Sequence, residues 1–326
     1  EQFGYDIQGF FRNHWWPDMK RLTWEDGVRY TGVLIETYND QVDGPFAPDV
    51  DDDALIRYYA SELLQSGGEM GLHGYNHLPL CPDGFYTAEN YRTWPSARAM
   101  ADALKELERY ASKFLTGKSF KTYVPPSNYL SDAGKATLLG TLPQLRTVSG
   151  LYFPETGVDA LIQEFQEEAD GSVSVPRISA GFIPSGYNRL MLAQELLLHG
   201  VFSHFIHPDD VLDASRGADQ GWTEMYSGFA GLIKDIKQAY PALRWCTASE
   251  GAAAVQRYDR LQVTSSQTED GLQVSLSPFY DEAWLVLKTE RPIESVENGA
   301  FFKISPGFYW IRADEAQLRL TWGRDA

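Results

Sequence analysis

The chain has 326 residues, of which 43% are hydrophobic and 13% aromatic, and it carries a formal net charge of −17 at pH 7. That much apolar material builds one large domain with an appendage, or two domains, and excludes a disordered chain. The acidic balance excludes a nucleic-acid partner, because phosphate contacts need Lys and Arg; no run of about 18 apolar residues exists, which excludes a membrane-spanning helix.

The charge leaves two readings open, a solubilising surface or an attraction for a cationic substrate or product. Cys81 and Cys246 either pair in an oxidising compartment or remain thiols. The sequence starts at Glu1 rather than Met, as expected of a processed or trimmed chain, which leaves a lost export signal open.

In chain order, residues 31–40, TGVLIETYND, read as a buried strand ending in polar residues. The acids at 51–53 then signal a helix start, and Gly67 and Gly68 stop that helix. EMGLHG is the next strand. Pro95 opens a helix to about Leu115. FKTYVPPS is a strand closed by two prolines, and Ser131 caps the helix DAGKATLLGTL. LRTVSGLYF returns as a strand, YNRLMLAQELLLHG as a helix and VFSHFIHP as a strand. WTEMYSGFAGLIKDIKQAYP is a helix, followed by the strand LRWCTAS.

Strands and helices alternating in this way predict parallel strands joined by crossover helices, in a barrel or an open sheet. Polar clusters recur just past the apolar runs, at Asp40, His73, Ser127 and His207. In a (β/α) barrel those strand ends converge on one face, so the predicted fold class is α/β, with a barrel over residues 1–259. An open doubly wound sheet would also gather ligands at strand ends, but it usually brings a Gly-rich phosphate loop, and the sequence has none. From residue 260 the pattern alternates with period two. Turns fall at Asp270-Gly271, Pro292, Asn298-Gly299 and Pro306-Gly307, which predicts a small antiparallel β-sandwich over 260–326.

His73 and His77 stand four apart around a glycine, a spacing at which a helix face or a tight turn brings two rings onto one metal. The pair alone is equally an ordinary loop. Asp40, ending the preceding strand unit, would complete a centre of two imidazoles and one carboxylate. That donor set suits zinc or another divalent transition metal with a position open for water; otherwise Asp40 is a turn or cap residue. In FSHFIHPDD, alternation sets His207 at the strand top beside Asp209 and Asp210. It is placed as a general acid, or else merely ends the strand. His204 reads as packing and His199 as a helix C-terminal residue.

In this order, VLIETYND, HGYNH, YVPPS and FIHP resemble the motifs of the polysaccharide deacetylase (NodB-homology) superfamily. The resemblance covers residues 30–250 and is nearest to the branch acting on Pel-type and galactosamine-rich exopolysaccharides. It implies a distorted (β/α)7 barrel and metal-dependent removal of N-acetyl groups from an amino-sugar polysaccharide. By position it implies Asp40, His73 and His77 as metal ligands, zinc foremost, and His207 as catalytic acid. Pro126, Ser127, Asn128 and Tyr129 would lie along the substrate, and Tyr75 would stack on a sugar. Such a substrate implies a periplasmic or extracellular protein that works beside other exopolysaccharide-processing proteins.

Two positions depart from the family pattern. Asn39 stands where the general-base Asp is expected, and Val124 stands near where an Arg would hold that base. Alternation puts Glu36 on the face of Asp40, as a candidate base beneath the metal; Asp43 and Glu69 are other nearby acids. Two further readings stay open. One is a carbohydrate-binding pseudoenzyme on the same barrel. The other is a glycoside hydrolase with paired carboxylates drawn from Asp209, Asp210 and Glu36.

Overall fold

The structure is a computed structural model that describes residues 4, 6–48, 53–85, 91–115, 119–150, 164–241 and 243–323. It divides into two compact units, Glu1–Ala252 and Ala253–Ala326. Both are α/β or β in content: the larger holds a parallel sheet with helices, and the smaller holds antiparallel sheets.

The larger unit opens with α1 (Ile7–Phe10), which passes through a π-helical turn, Phe11–Trp15, into α2 (Trp16–Asp26). Then follow β1 (Thr31–Leu34), α3 (Asp53–Gln65), β2 (Glu69–Leu72), α4 (Ala97–Ala111) and β3 (Thr122–Tyr123). After them come α5 (Asp132–Thr141), β4 (Thr147–Val148), β5 (Gln166–Glu167), β6 (Val173–Ser174) and β7 (Ser179–Ala180). The unit continues with α6 (Gly186–His199), β8 (His204–Phe205), α7 (Gly221–Ala239) and the start of α8 (Ala248–Arg260).

Capping chemistry explains several helix starts. Ser96, Ser131 and Ser185 each accept a backbone N–H three residues on, at the beginnings of α4, α5 and α6. The stripe Met100, Ala103, Leu104, Leu107 and Tyr110 follows helical spacing and turns the buried face of α4 to the core. That core gathers Met19, Leu22, Leu72, Leu78, Trp94, Leu130, Phe182 and Met225.

Strands β1, β2, β3, β4 and β6 lie in that order and pair in parallel, with β5 antiparallel at the edge. Strands β7 and β8 form a separate parallel pair. Among the described residues no hydrogen-bonded ring closes. The pairs are short: past β1 and β2, most ladders join only one or two residue pairs. At Gly71 a Cβ would stand 2.8 Å from the Thr122 oxygen, so glycine lets β2 approach β3 at that point.

Three expectations change. LRWCTAS is not a strand: residues 243–247 have no regular structure and α8 begins at Ala248. The reason is a capping box, with Thr247 N–H donating to Glu250 Oε2 at 2.9 Å and Glu250 N–H to Thr247 Oγ1 at 3.4 Å. Second, β5, β6 and β7 lie in a stretch where no strand was predicted. Third, the strand expected over 145–153 is only Thr147–Val148, and residues 151–153 are outside the described residues.

The smaller unit holds β9 (Gln262–Gln267), β10 (Gly271–Ser277), β11 (Ala283–Lys288) and β12 (Ile293–Glu297). It ends with β13 (Gly299–Ser305), β14 (Phe308–Ala313) and β15 (Gln317–Trp322). They make two antiparallel sheets, ordered β12-β15-β10-β9 and β11-β14-β13. Val274, Leu276, Tyr309, Ile311, Leu318 and Leu320 alternate inward and fill the core. Asn298 has a φ of +63°, so Asn298-Gly299 forms the tight turn between β12 and β13.

Candidate functional site

The histidine pair sits directly after β2. His73 accepts no room for solvent, being 6% exposed, and its Nδ1 lies 2.7 Å from the Val124 carbonyl oxygen. A carbonyl only accepts, so Nδ1 carries the proton and Nε2 keeps its lone pair. Gly74, at φ +95°, begins the turn, and Asn76 and His77 continue it at φ +60° and +51°. The turn returns the His77 ring to within 5.0 Å of His73, centroid to centroid.

Burial drives the His73 pKa down to about 3; the Val124 carbonyl opposes this, and the charges of Arg177, His77 and His207 add to it. His77 is also held below its ordinary value, by burial first and then by His207 and Arg177, with Asp209 acting the other way. Both rings are therefore neutral imidazoles at pH 7. Arg177 and His207 border this region through intermediates: Arg177 bonds Asn128, whose neighbour Ser127 meets Tyr91 beside His77, and His207 packs edge-on against Phe205, the ring under Arg177.

Several other groups border it. The Tyr38 ring stacks against His77 at 6.0 Å and the Tyr91 ring meets it edge-on at 6.1 Å. Tyr91 Oη and Ser127 Oγ are 2.6 Å apart. Ser127 and Asn128 both have left-handed backbones, with φ +47° and +66°, which turn their side chains out of the strand direction. Asn128 Oδ1 accepts from Arg177 Nε at 3.1 Å and Nη2 at 2.5 Å. The Arg177 guanidinium lies 4.4 Å above the Phe205 ring.

His207 caps the turn after β8. Its backbone N–H donates to Asp210 Oδ2 at 3.1 Å, and its Nδ1 is 3.5 Å from Asp210 Oδ1. Asp210 also accepts from Arg216 at 2.9 Å. Burial pushes the Asp210 carboxyl up, but the hydrogen bonds from His207 and Arg216 outweigh it, so the group titrates below the usual carboxylate range. His204 packs as expected: it stacks on Phe229 at 5.5 Å, and its two nitrogens meet Ser179 Oγ and the Gly181 carbonyl.

The carboxylate candidates lie elsewhere. Asp40 is exposed at φ +55°, and its carbonyl accepts from Arg92 at 2.8 Å. Tyr38 covers one side of His77. Among the described residues no group of three His, Cys, Asp or Glu side chains comes together to hold a metal, so Asp40 does not complete a trio with the histidines. His73 and His77 offer two imidazole donors with rings 5.0 Å apart. Asn39 Oδ1 accepts from the Gln41 N–H at 3.1 Å.

Glu36 lies past the end of β1 at Leu34, so strand alternation does not set its face; it is buried, with the α4 carboxylate Glu106 as its electrostatic neighbour. Glu69 is likewise engaged, with Thr122 Oγ1 at 2.6 Å and Ser249 N at 3.0 Å. A cavity of about 450 Å³ lined by Phe46, Arg98, Glu106 and Arg109 includes none of the histidines.

Tyr75 and Tyr129 are 2% and 5% exposed, which removes their ring faces from a sugar. Tyr75 instead packs on Phe46 at 5.0 Å and donates to the Ala47 carbonyl at 3.0 Å. Pro126 is buried too and packs where a Cβ on Gly74 would fall, 2.9 Å away. Cys81 is buried and Cys246 exposed, and the two do not form a disulfide.

Asn76, Tyr91 and Arg177 went unread in the sequence. Asn76 Oδ1 accepts from Thr37 Oγ1 and from the Asn39 N–H at 2.9 Å, and its amide donates to the Gln41 carbonyl at 2.8 Å. It pins the 37–41 segment against the histidine turn. The available signal for Arg177 was a lone cation within the apolar run SVSVPRISAGF.

No helix among the described residues is long and apolar enough to cross a membrane. Solved structures similar to this chain include a mutant of a CE4 family pseudoenzyme from Bacillus anthracis, at 12% identity and TM-score 0.41, over 74% of this chain and 63% of that one. The carbohydrate deacetylase Agd3 aligns at 13% identity and TM-score 0.37, over 88% of this chain and 49% of that one. An α-fucosidase of Thermotoga maritima aligns at 12% identity and TM-score 0.36, over 97% and 79%. The chain spans less than two thirds of the first two proteins, and likenesses at these scores carry no functional weight. No curated protein matches the chain. The family model described as "Uncharacterised protein conserved in bacteria (DUF2194)" matches residues 1–310, and the chain belongs to that family.

Proposed function

We propose that this protein is a carbohydrate deacetylase of polysaccharide deacetylase type, with a distorted (β/α)7 barrel as its larger unit, that hydrolyses acetamide groups on an amino-sugar exopolysaccharide. The observation that carries the reading is the meeting of His73 and His77 as neutral imidazoles, with His207 beside them. Val124 fixes the tautomer of His73, a support that metal-binding histidines commonly have.

His73 and His77 would hold a divalent metal, zinc foremost, which supplies a polarised acetamide carbonyl and a water that ionises near neutrality. The chain's own groups do the rest. Asp210 orients His207 through Nδ1, which leaves Nε2 to protonate the departing amine. Ser127 and Asn128 line the approach beside Tyr91, and exposed Tyr38 offers a ring to a sugar face. The product bears ammonium groups, which a surface at −17 retains. A polymer substrate goes with a periplasmic or extracellular site of action, beside other exopolysaccharide-processing proteins.

One observation favours a second reading, a pseudoenzyme that binds carbohydrate. Asn39 offers an amide where a base carboxylate is needed, and Asp40 stands apart from the histidines. The glycoside hydrolase reading would draw its pair from Asp209, Asp210 and Glu36, of which Glu36 neighbours Glu106 and Asp210 accepts from Arg216.

The deciding experiment measures metal content and acetate release from acetylated amino-sugar oligomers for the wild type, His73→Ala and His207→Ala. Deacetylation predicts about one metal per chain in the wild type, loss of metal and turnover in His73→Ala, and loss of turnover alone in His207→Ala. Oligomer binding without acetate release establishes the pseudoenzyme instead.

A further inference from the structure

Arg177 is left without a task by the reading above. It follows Pro176 between β6 and β7, is half-buried, and is held by Asn128, whose neighbour Ser127 meets Tyr91 beside His77. Two of its N–H groups go to one neutral acceptor, Asn128 Oδ1, and its face rests on Phe205. No carboxylate among the described residues forms an ion pair with it, and burial alone lowers its proton affinity.

A cation partly withdrawn from water is commonly paired with a counter-charge. Of the acids after His207, Asp210 pairs with His207 and Arg216 and Asp213 with Arg216, and among the described residues Asp209 forms no ion pair with Arg177. Among the described residues the guanidinium Nη1 has no hydrogen-bond partner, and a planar fork matches a carboxylate through two parallel hydrogen bonds.

We propose that Arg177, held in place by Asn128 and Phe205, anchors a carboxylate-binding subsite next to His73 and His77. Two sources share that chemistry. Hydrolysis of an acetamide by water yields an ammonium on the sugar and acetate, so the first source is the released acid; this source rests on the deacetylase reading. The second is a uronic-acid unit of the polymer, which does not. A net charge of −17 repels anions at long range, so affinity here must come from local contact and must depend on Arg177.

The test is calorimetric titration of the full chain, freed of metal with chelator, against sodium acetate and against methyl glucuronide, at constant ionic strength with chloride. Wild type, Arg177→Gln, Arg177→Lys and His73→Ala are compared, with circular dichroism as the check of folding. The expected result is saturable binding by the wild type, weakened about tenfold or more in Arg177→Gln, partly restored in Arg177→Lys and retained in His73→Ala. Preference for acetate assigns the released acid, and preference for the glucuronide assigns an acidic polymer. Should Arg177→Gln fail to fold, Arg177→Lys decides: it keeps the charge but loses the fork, so unchanged affinity for both ligands overturns the subsite. Absence of wild-type binding above chloride, or equal binding by Arg177→Gln, overturns it as well. Acetate release without carboxylate binding refutes this inference alone; carboxylate binding without acetate release refutes the deacetylase reading alone.

Discussion

His73 Nδ1 lies 2.7 Å from the backbone oxygen of Val124, so one strand end fixes the tautomer of a histidine on the next. This couples the site to acid stability. With its pKa lowered from 6.5 to about 3, His73 is neutral in the fold where the unfolded chain binds a proton. The associated stability is fully present above pH 6.5 and is lost as pH falls towards 3, by roughly 1.4 kcal/mol per pH unit at most. Urea unfolding from pH 7 to pH 4 should show a shallower decline for His73→Gln than for the wild type. Parallel curves would mean that His73 takes up its proton without unfolding.

Glu36 acts with the opposite sign. Burial, then the Glu106 carboxylate, raises its pKa to about 8, offset in part by Arg109 and Lys113. A group raised in the fold contributes stability below about pH 4.5 that is lost as pH rises through 8. Glu36→Gln removes the titration. Its stability relative to the wild type should increase between pH 5 and pH 8.5, read as a widening difference in Tm. A difference independent of pH would show that Glu36 is solvated.

Asn76 holds Thr37, Asn39 and Gln41 through its side-chain amide. Asn76→Ala leaves those groups unsatisfied and gives up the left-handed φ that Asn tolerates. The expected loss is about 2–3 kcal/mol in denaturant unfolding, with weaker metal retention at His77, because the turn is no longer tied to the 37–41 segment.

Asp210 at the Nδ1 of His207 is a positioning residue. Asp210→Asn should lower kcat for acetate release by about tenfold to a hundredfold with little change in KM, since the ring loses the carboxylate that orients it. A change confined to KM would assign Asp210 a binding or merely structural part.

In the smaller unit Ile311 is 2% exposed, on the central strand β14. Ile311→Ala should destabilise that unit by about 2–5 kcal/mol. The acetate-release rate should persist, because no site residue lies in residues 253–326. Loss of activity in a folded variant would bring the β unit into the site.

Much of the architecture was legible because it rests on local patterns. The α4 stripe, the serine caps and the period-two alternation after residue 260 each depend on neighbours within a few residues. The short strands β5, β6 and β7 were not legible, since two-residue ladders leave no periodicity to read. The TASE capping box was there to be read but lay inside a run rich in strand formers.

By itself the sequence determined that His73 and His77 share one short turn around a glycine, and the structure closes it with left-handed Gly74, Asn76 and His77. It also determined that the polar groups at 127, 128 and 207 follow apolar runs and so come to strand ends. Only the tertiary structure decided the remaining partners. Arg177 reached the histidines across about a hundred residues of chain, Glu36 turned to α4 and Asp40 stayed outside. The physical reason is that alternation assigns a face of a strand, whereas the neighbour on that face is set by how strands and helices pack. A buried charge finds its environment only when those layers close around it.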